Sequence, residues 1–540
     1  MPHTPLLTHL HQLAADHALA ADLGATPAGV RAARAAGRPL SRRAFVTGAA
    51  AGAAGLALAA IPGTARAARK PGPPAPTVAI VGGGIAGMTA AMTLADAGYE
   101  ATVYEASDRI GGRMYSNTGY WSDGQVSEWA GELVDTGHKT IRSLVQRFKL
   151  TLDDLTGAEP VGTAETHYFD GAYYEDLDAD FKAIHKAIID DVNAASYPTT
   201  WDTSTEAGRA LDDMSIAEWI DSRVPGGRAS KLGQLLDVAY NIEYGAETTD
   251  QSALNLLYLL GYGVQPGNVQ LFGASDERYH IRGGNQQLPA AIAATLPGPI
   301  KLGWRMTSIA RAANGGVTLR FSTPQGRETV TADRVILTLP FAVLRTLDFA
   351  GAGFDARKER AIRELGRGRN GKLQLQFGSR PWNAQGSNGA SYADTGYQAT
   401  WEVSRGQAGA RGILVDYTGG DVTGALGDRR RKITFADAST AGVSAEALAF
   451  LGQAEPVFPG LTAQWNGKAT LSIQHHSPHT LCSYSYWRVG QCHDFGGYEG
   501  VAQGPIHFAG EHTSVDFQGY MEGGAETGIR AANEVIEAVR

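Results

Sequence analysis

Cysteine is almost absent from this chain. Cys482 and Cys492 are the only two in 540 residues, which excludes both a disulfide framework and a Cys-rich zinc module. No apolar stretch is long enough for a permanent membrane span. No long Lys/Arg run occurs and the formal net charge is −8, so the composition speaks against a generic nucleic-acid surface. Glycine is plentiful at 68 residues but follows no fixed period, which excludes a collagen-like chain. With 43% hydrophobic and 19% charged residues, the sequence predicts two or more globular domains.

The charge is unevenly spread. Residues 1–67 hold six arginines against Asp16 and Asp22, a local excess of four positive charges, and the remainder is twelve negative. Ser41-Arg42-Arg43-Ala44-Phe45-Val46 precedes a weakly apolar run, and Ala65-Arg66-Ala67 has small residues suited to a signal peptidase. No acid occurs between Asp22 and Asp96. These features resemble a twin-arginine signal over residues 1–67 and imply export, to the periplasm or outside the cell. The Pro-rich residues 68–76 read as an extended linker.

Thr77-Val78-Ala79-Ile80-Val81 suits a buried parallel strand and runs into Gly82-Gly83-Gly84-Ile85-Ala86-Gly87. In such a Gly-x-Gly-x-x-Gly, Gly82 allows the turn and Gly84 lets a pyrophosphate approach the backbone. Gly87 lets the next helix pack on the strand. A second strand, Ala101 to Tyr104, delivers Glu105, a carboxylate that can accept ribose hydroxyls. Arg109-Ile110-Gly111-Gly112-Arg113 adds close backbone approach and cations for phosphate, which points to FAD in preference to NAD. Near the C-terminus, Pro505 to Glu511 forms another short strand, followed by Gly519-Tyr520-Met521-Glu522-Gly523-Gly524 and an apolar-periodic helix. That helix start predicts a second positive end, suited to a flavin pyrimidine ring.

Together with Ile281-Arg282-Gly283-Gly284 to Leu288 and Arg334 to Pro340, these segments resemble the flavin amine oxidase family from Val78 to the C-terminus. The resemblance implies an α/β, Rossmann-like FAD-binding domain assembled from residues 77–150, 280–345 and 500–540. An α+β substrate-binding domain would take residues 151–279 and 346–499. The residues assigned to FAD are Gly82, Gly84, Gly87, Glu105, Arg109, Gly112, Arg113, Met306, Gly510, Glu511 and Met521.

Lys372, in the strand-like run Asn370 to Phe377, resembles the family lysine that holds a water against flavin N5. Tyr520, Tyr484 and Trp487 are expected as aromatic walls, with Trp487 and Tyr520 favoured. Cys482 has the spacing of a flavin-linked cysteine, but a buried inert thiol is the commoner case, so non-covalent FAD is expected. The implied reaction takes the α-hydrogen of a neutral amine as hydride to flavin N5. The imine then hydrolyses to a carbonyl product and ammonia, and dioxygen becomes hydrogen peroxide. No metal or protein nucleophile is needed.

For the substrate, L-amino acids are chosen narrowly, with monoamines and polyamines as the alternative. Val134 stands where L-amino-acid oxidases usually place an arginine, which weakens that choice. Glu132 or Asp135 could receive a second cationic group instead. An FAD desaturase and a flavin-binding protein without turnover are the remaining readings, and a homodimer is left open.

Overall fold

The computed structural model of the protein describes residues 76–260, 275–426 and 433–540. The expected leader and all of the linker except Pro76 lie outside the described residues.

The described chain opens with β1 (Val78–Val81), α1 (Ile85–Asp96) and β2 (Ala101–Tyr104). Next come β3 (Ala164–Phe169), β4 (Ala172–Tyr173) and α2 (Lys231–Tyr244). Two further strands are β5 (Ile300–Lys301) and β6 (Arg334–Leu337). The longer strands β7 (Gly371–Phe377), β8 (Ser387–Ala393), β9 (Ala399–Glu402) and β10 (Gly412–Thr418) follow. The chain ends with β11 (Phe435–Asp437), β12 (Trp465–Ile473), β13 (Ile506–Phe508) and α3 (Met521–Val539).

Five of these strands make one parallel sheet in the order β13-β6-β1-β2-β5. The apolar run Val78 to Val81 lies at its centre, buried along its whole length, with Val78 opposite both Ala101 and Arg334. Because the chain leaves β1 toward β2 and returns on the other side as β6, a crevice opens beyond the strand ends. Two helices cover the sheet at close range. A Cβ on Gly87 would lie 2.0 Å from the Gly82 carbonyl oxygen, and one on Gly528 would lie 2.2 Å from that of Ala86. Only glycine permits α1 to sit so near the strand and α3 so near α1. The Thr89 hydroxyl then donates to the Ala525 carbonyl across the helix pair at 3.0 Å.

The second sheet has eight strands in the order β11-β12-β7-β10-β9-β8-β3-β4. It is mostly antiparallel, with one parallel pair between β8 and β3. Its central strand β7 places Lys372 opposite Tyr417 of β10 and Ser472 of β12. One face of this sheet packs a separate core that includes Phe377, Trp382, Phe450 and Leu471. The helical region around α2 contributes another, with Leu235, Leu236, Ala239 and Tyr240 fully buried.

Candidate active site

A cavity of about 530 Å³ is lined by residues of the parallel sheet's crevice, the eight-stranded sheet and α2. Its two ends differ in chemistry.

The crevice end carries nearly every residue expected to hold FAD. Gly82, Gly84, Glu105, Arg109, Gly112, Arg113, Met306, Gly510, Glu511 and Met521 all line it. Gly87 does not, because its role is the helix–strand packing already described. Glu105 is fixed by the Gly83 N–H at 2.6 Å on one oxygen and by the Ser107 N–H and hydroxyl on the other. A carboxylate has about four acceptor sites, so capacity for ribose hydroxyls remains. Arg109 is folded back onto the Ile110 and Gly112 carbonyls and stacks 3.8 Å over Tyr115. Arg113 donates to the Ser483 carbonyl and to Glu511 at 2.9 Å. Glu511 also accepts from the Ser485 hydroxyl and the Gly519 N–H. Burial pushes its pKa up, but the Arg113 guanidinium and these donors outweigh that and hold the carboxyl below its ordinary range.

The site fits the cofactor. Neither α1 nor α3 has a side-chain cap at its N-terminus, so backbone donors at both helix starts remain for a ligand. Gln518 lines the same cavity, is buried, and has no hydrogen-bond partner for either amide atom among the described residues. Such a group calls for a polar ligand. Cys482 is buried but absent from the lining, its Sγ meets the Thr480 carbonyl, and burial pushes its thiol up to about 11. It is neither placed nor activated to bond with a flavin.

The other end is aromatic and acidic. Tyr484 and Tyr520 line it as expected, along with Tyr392, Trp401 and Tyr417. The Tyr484 hydroxyl meets those of Tyr417 at 2.9 Å and the Ile242 carbonyl at 3.1 Å. The Tyr520 hydroxyl donates to Glu243 at 3.0 Å, and its ring packs edge-on against His138. Burial raises the pKa of Tyr484 and Tyr520 far above that of free tyrosine, so both stay neutral. Lys372 also lines the cavity, and its ammonium is paired with Glu132 at 2.6 Å.

Three sequence expectations are corrected here. Trp487 does not reach the cavity. Ser485–Tyr486 pairs with Gly366–Arg367, and the chain then carries Trp487 into the helical core. There its carbonyl accepts from Asn255. Asp135 is not in the lining either, being occupied by the Ser275 hydroxyl and the Glu277 N–H. Glu132 does face the cavity, yet the cation it receives is Lys372. Val134 is fully buried with Ile80, Met88 and Ile141 in the core beside the parallel sheet and lies away from the lining.

Two residues that sequence reasoning missed are Glu243 and Glu277, both in the lining. Glu243 continues the buried face of α2 that runs through Leu236 and Tyr240, and an acid on such a stripe is a detectable signal. Burial pushes its carboxyl up to about 8, with Asp135 adding to the rise. Glu277 is open to the cavity but closely surrounded by protein. Burial, then Asp135 and Glu243, raise it well above the ordinary range. No local sequence pattern marks it.

The chain matches the flavin-containing amine oxidoreductase family over residues 85–536, most of its length, and belongs to that family. It is thus an oxidoreductase acting on amines, with FAD as its cofactor. Among its relatives is a nicotine dehydrogenase of Pseudomonas putida (strain DSM 28022 / S16), 26% identical over 458 residues. That alignment covers 83% of this chain and 85% of the relative. An L-amino-acid oxidase of Vipera ammodytes ammodytes is 23% identical over 485 residues, covering 84% and 90%. The fold is shared with cyclohexylamine oxidase from Brevibacterium oxydans IH-35A, at a TM-score of 0.72 and 21% identity over 86% of this chain and all of that one. No helix among the described residues is long and apolar enough to cross a membrane.

Proposed function

We propose that this protein oxidises an amine that bears a second positive charge and no neighbouring carboxylate, using dioxygen and releasing hydrogen peroxide. The observation that carries this reading is the charge at the aromatic end of the cavity. Its only lysine, Lys372, is already paired with Glu132, whereas Glu243 and Glu277 have no cation opposite them among the described residues. The arginines in the lining, Arg109, Arg113 and Arg305, belong to the cofactor end. An amino-acid carboxylate would therefore meet no guanidinium and no ammonium without a partner of its own, which disfavours the L-amino-acid reading.

FAD, when bound, supplies the two-electron acceptor. The protein's own groups do the rest. Tyr484 and Tyr520 offer flat faces that hold the reacting amine and exclude water. Lys372 presents its ammonium to the cavity from the middle of β7. Glu243, fixed by the Tyr520 hydroxyl, and Glu277 face the second ammonium. A carboxyl kept neutral by burial ionises when that cation arrives, so a dication gains more from the site than a monocation does. On this reading residues 77–150, 280–345 and 500–540 chiefly hold FAD, and residues 151–279 and 346–499 chiefly shape the amine's end.

The test is a peroxide-coupled panel of α,ω-diamines, n-alkylamines and L-amino acids, repeated anaerobically by flavin bleaching. Diamines are expected to lead. Preferential turnover of neutral-side-chain L-amino acids would overturn the substrate reading, and bleaching without peroxide would replace dioxygen with another acceptor. Export through the twin-arginine route is proposed on Ser41-Arg42-Arg43 and the acid-free stretch behind it. Mass analysis of the protein recovered outside the cytoplasm should find residues 1–67 removed, and retention of the intact chain inside the cell would contradict it.

A further inference from the structure

The pairing of Lys372 with Glu132 joins residues 240 positions apart, and both side chains are nearly inaccessible, at 9% and 5% exposure. An ammonium has three N–H groups. One goes to Glu132 Oε2 at 2.6 Å and a second to the Ala130 carbonyl at 2.9 Å. The third has no acceptor among the described residues, on a side chain that lines the cavity. Glu132 is itself held, because its Oε1 accepts from the Trp401 indole N–H at 3.0 Å.

The backbone beneath the pair is held as well. Asn285 Nδ2 donates to the carbonyls of Gly131 and Glu132, while its Oδ1 accepts from Ile281 N–H and its own N–H donates to Glu128. The glycine turn noted in the sequence thus fixes the strip that carries Glu132. The rings of Trp401 and Tyr417 stand 5.4 and 6.0 Å from the ammonium. A lysine in solution swings on a four-carbon stem, and this one cannot.

We propose that Glu132 is a positioning residue of the oxidation site: it anchors the Lys372 ammonium and aims its one spare N–H into the cavity. Lys372 then acts as a fixed donor, to a water molecule or to the bound amine, and not as acceptor of the substrate's proton. The inference rests on the amine-oxidase reading of this cavity. It also explains why the acid at the far end is uncompensated, since the local cation is neutralised by its own partner. The other titratable groups facing this region among the described residues are Tyr417, Tyr484, Glu243 and Glu277, with the His280–Glu128 pair behind the strip that carries Glu132.

The experiment compares E132Q, E132D, K372M and the E132Q/K372M double variant as FAD-loaded proteins. In E132Q the Lys372 ammonium loses its counter-charge and the anchor that aims it. Its kcat should therefore fall about 10²-fold and its pH profile should depart from that of the wild type, while KM changes little. The visible spectrum of bound FAD should differ from the wild type's over the same pH range. E132D should restore the wild-type profile, and the double variant should match K372M within about two-fold. A wild-type pH profile and spectrum in E132Q, or losses that multiply in the double variant, would overturn the proposal. Should E132Q fail to load FAD, the double variant, in which neither charge is left alone, still gives the comparison with K372M. If the wild-type chain oxidises no amine, the substrate reading falls, yet the spectral titration still reports on the pair.

Discussion

Glu511 and Glu243 lie in the lining of one cavity, both deeply enclosed, and their carboxyls are displaced in opposite directions. Around Glu511 the protein has supplied a guanidinium, a hydroxyl and a backbone N–H. Around Glu243 it has supplied one tyrosine hydroxyl and a further acid, Asp135. Burial costs both carboxylates hydration, so the difference lies in who provides the compensating charge. At the cofactor end the protein provides it in advance, which suits a ligand that stays bound. At the amine end it is left to a ligand that comes and goes. Lys372 and Glu132 stand between these extremes as a pair neutralised internally.

The contrast can be broken at each of its members. The largest effect is expected at Lys372. Lys372→Met removes the only cation at the amine end among the described residues, and kcat/KM should fall by about 10²–10³-fold with FAD content unchanged, as read by anaerobic stopped-flow reduction. Retained activity would remove the lysine from the chemistry. Arg113→Ala tests the cofactor end. It leaves Glu511 charged, buried and unpaired, a loss of about 3 kcal/mol. The flavin-to-protein ratio and the Tm of the purified protein should both drop, while Arg113→Lys should recover part of each.

A smaller change should follow from Glu243→Gln and Glu277→Gln. A charged hydrogen bond is worth about 1.5–3 kcal/mol, so the preference for a diamine over the n-alkylamine of equal length should shrink by about ten-fold or more in each. The ratio is the readout, whatever happens to the individual rates. An unchanged ratio would separate these acids from recognition. The pH sign follows from the direction of the shift. Glu243, held near 8, is protonated below that value and ionised above it. Diamine binding should strengthen as pH rises through about 8, and at pH 7 it should release about one proton, measurable by calorimetry in buffers of different ionisation enthalpy. Glu511, shifted the other way, stays ionised throughout and contributes no such step.

The same contrast explains what the sequence could disclose. The cofactor end is legible because its chemistry is local. Gly82, Gly84 and Gly87 act within six residues, and Glu105 follows at the end of the next strand. The amine end is assembled across hundreds of residues. Nothing near Lys372 announces Glu132, and nothing near Glu132 announces Trp401. Aromatic residues are ambiguous for another reason. Tyr484 and Trp487 are three positions apart, yet one lines the cavity and the other fills the helical core. Large apolar rings suit both settings equally, so composition alone does not sort them. In the sequence Asp135 reads as a cation receptor as readily as Glu132, but its two oxygens accept from Ser275 and Glu277.

Cys482 sharpens the comparison from its weakest side. Its spacing matches a covalent attachment point, but its thiol is withdrawn from the lining and raised to about 11 by burial. A thiol kept protonated cannot attack the isoalloxazine ring, and the cofactor end already holds its ligand through pre-formed charge and helix starts. Cys482→Ser is therefore expected to leave flavin content and kcat at wild-type levels, at a cost in stability of about 1 kcal/mol for a hydroxyl placed in a buried site. Acid precipitation should release the yellow colour into the supernatant from both proteins. Colour that stays in the wild-type pellet and leaves that of the variant would mean the sulfur reaches the ring after all, and that the cofactor end is held by a bond as well as by charge.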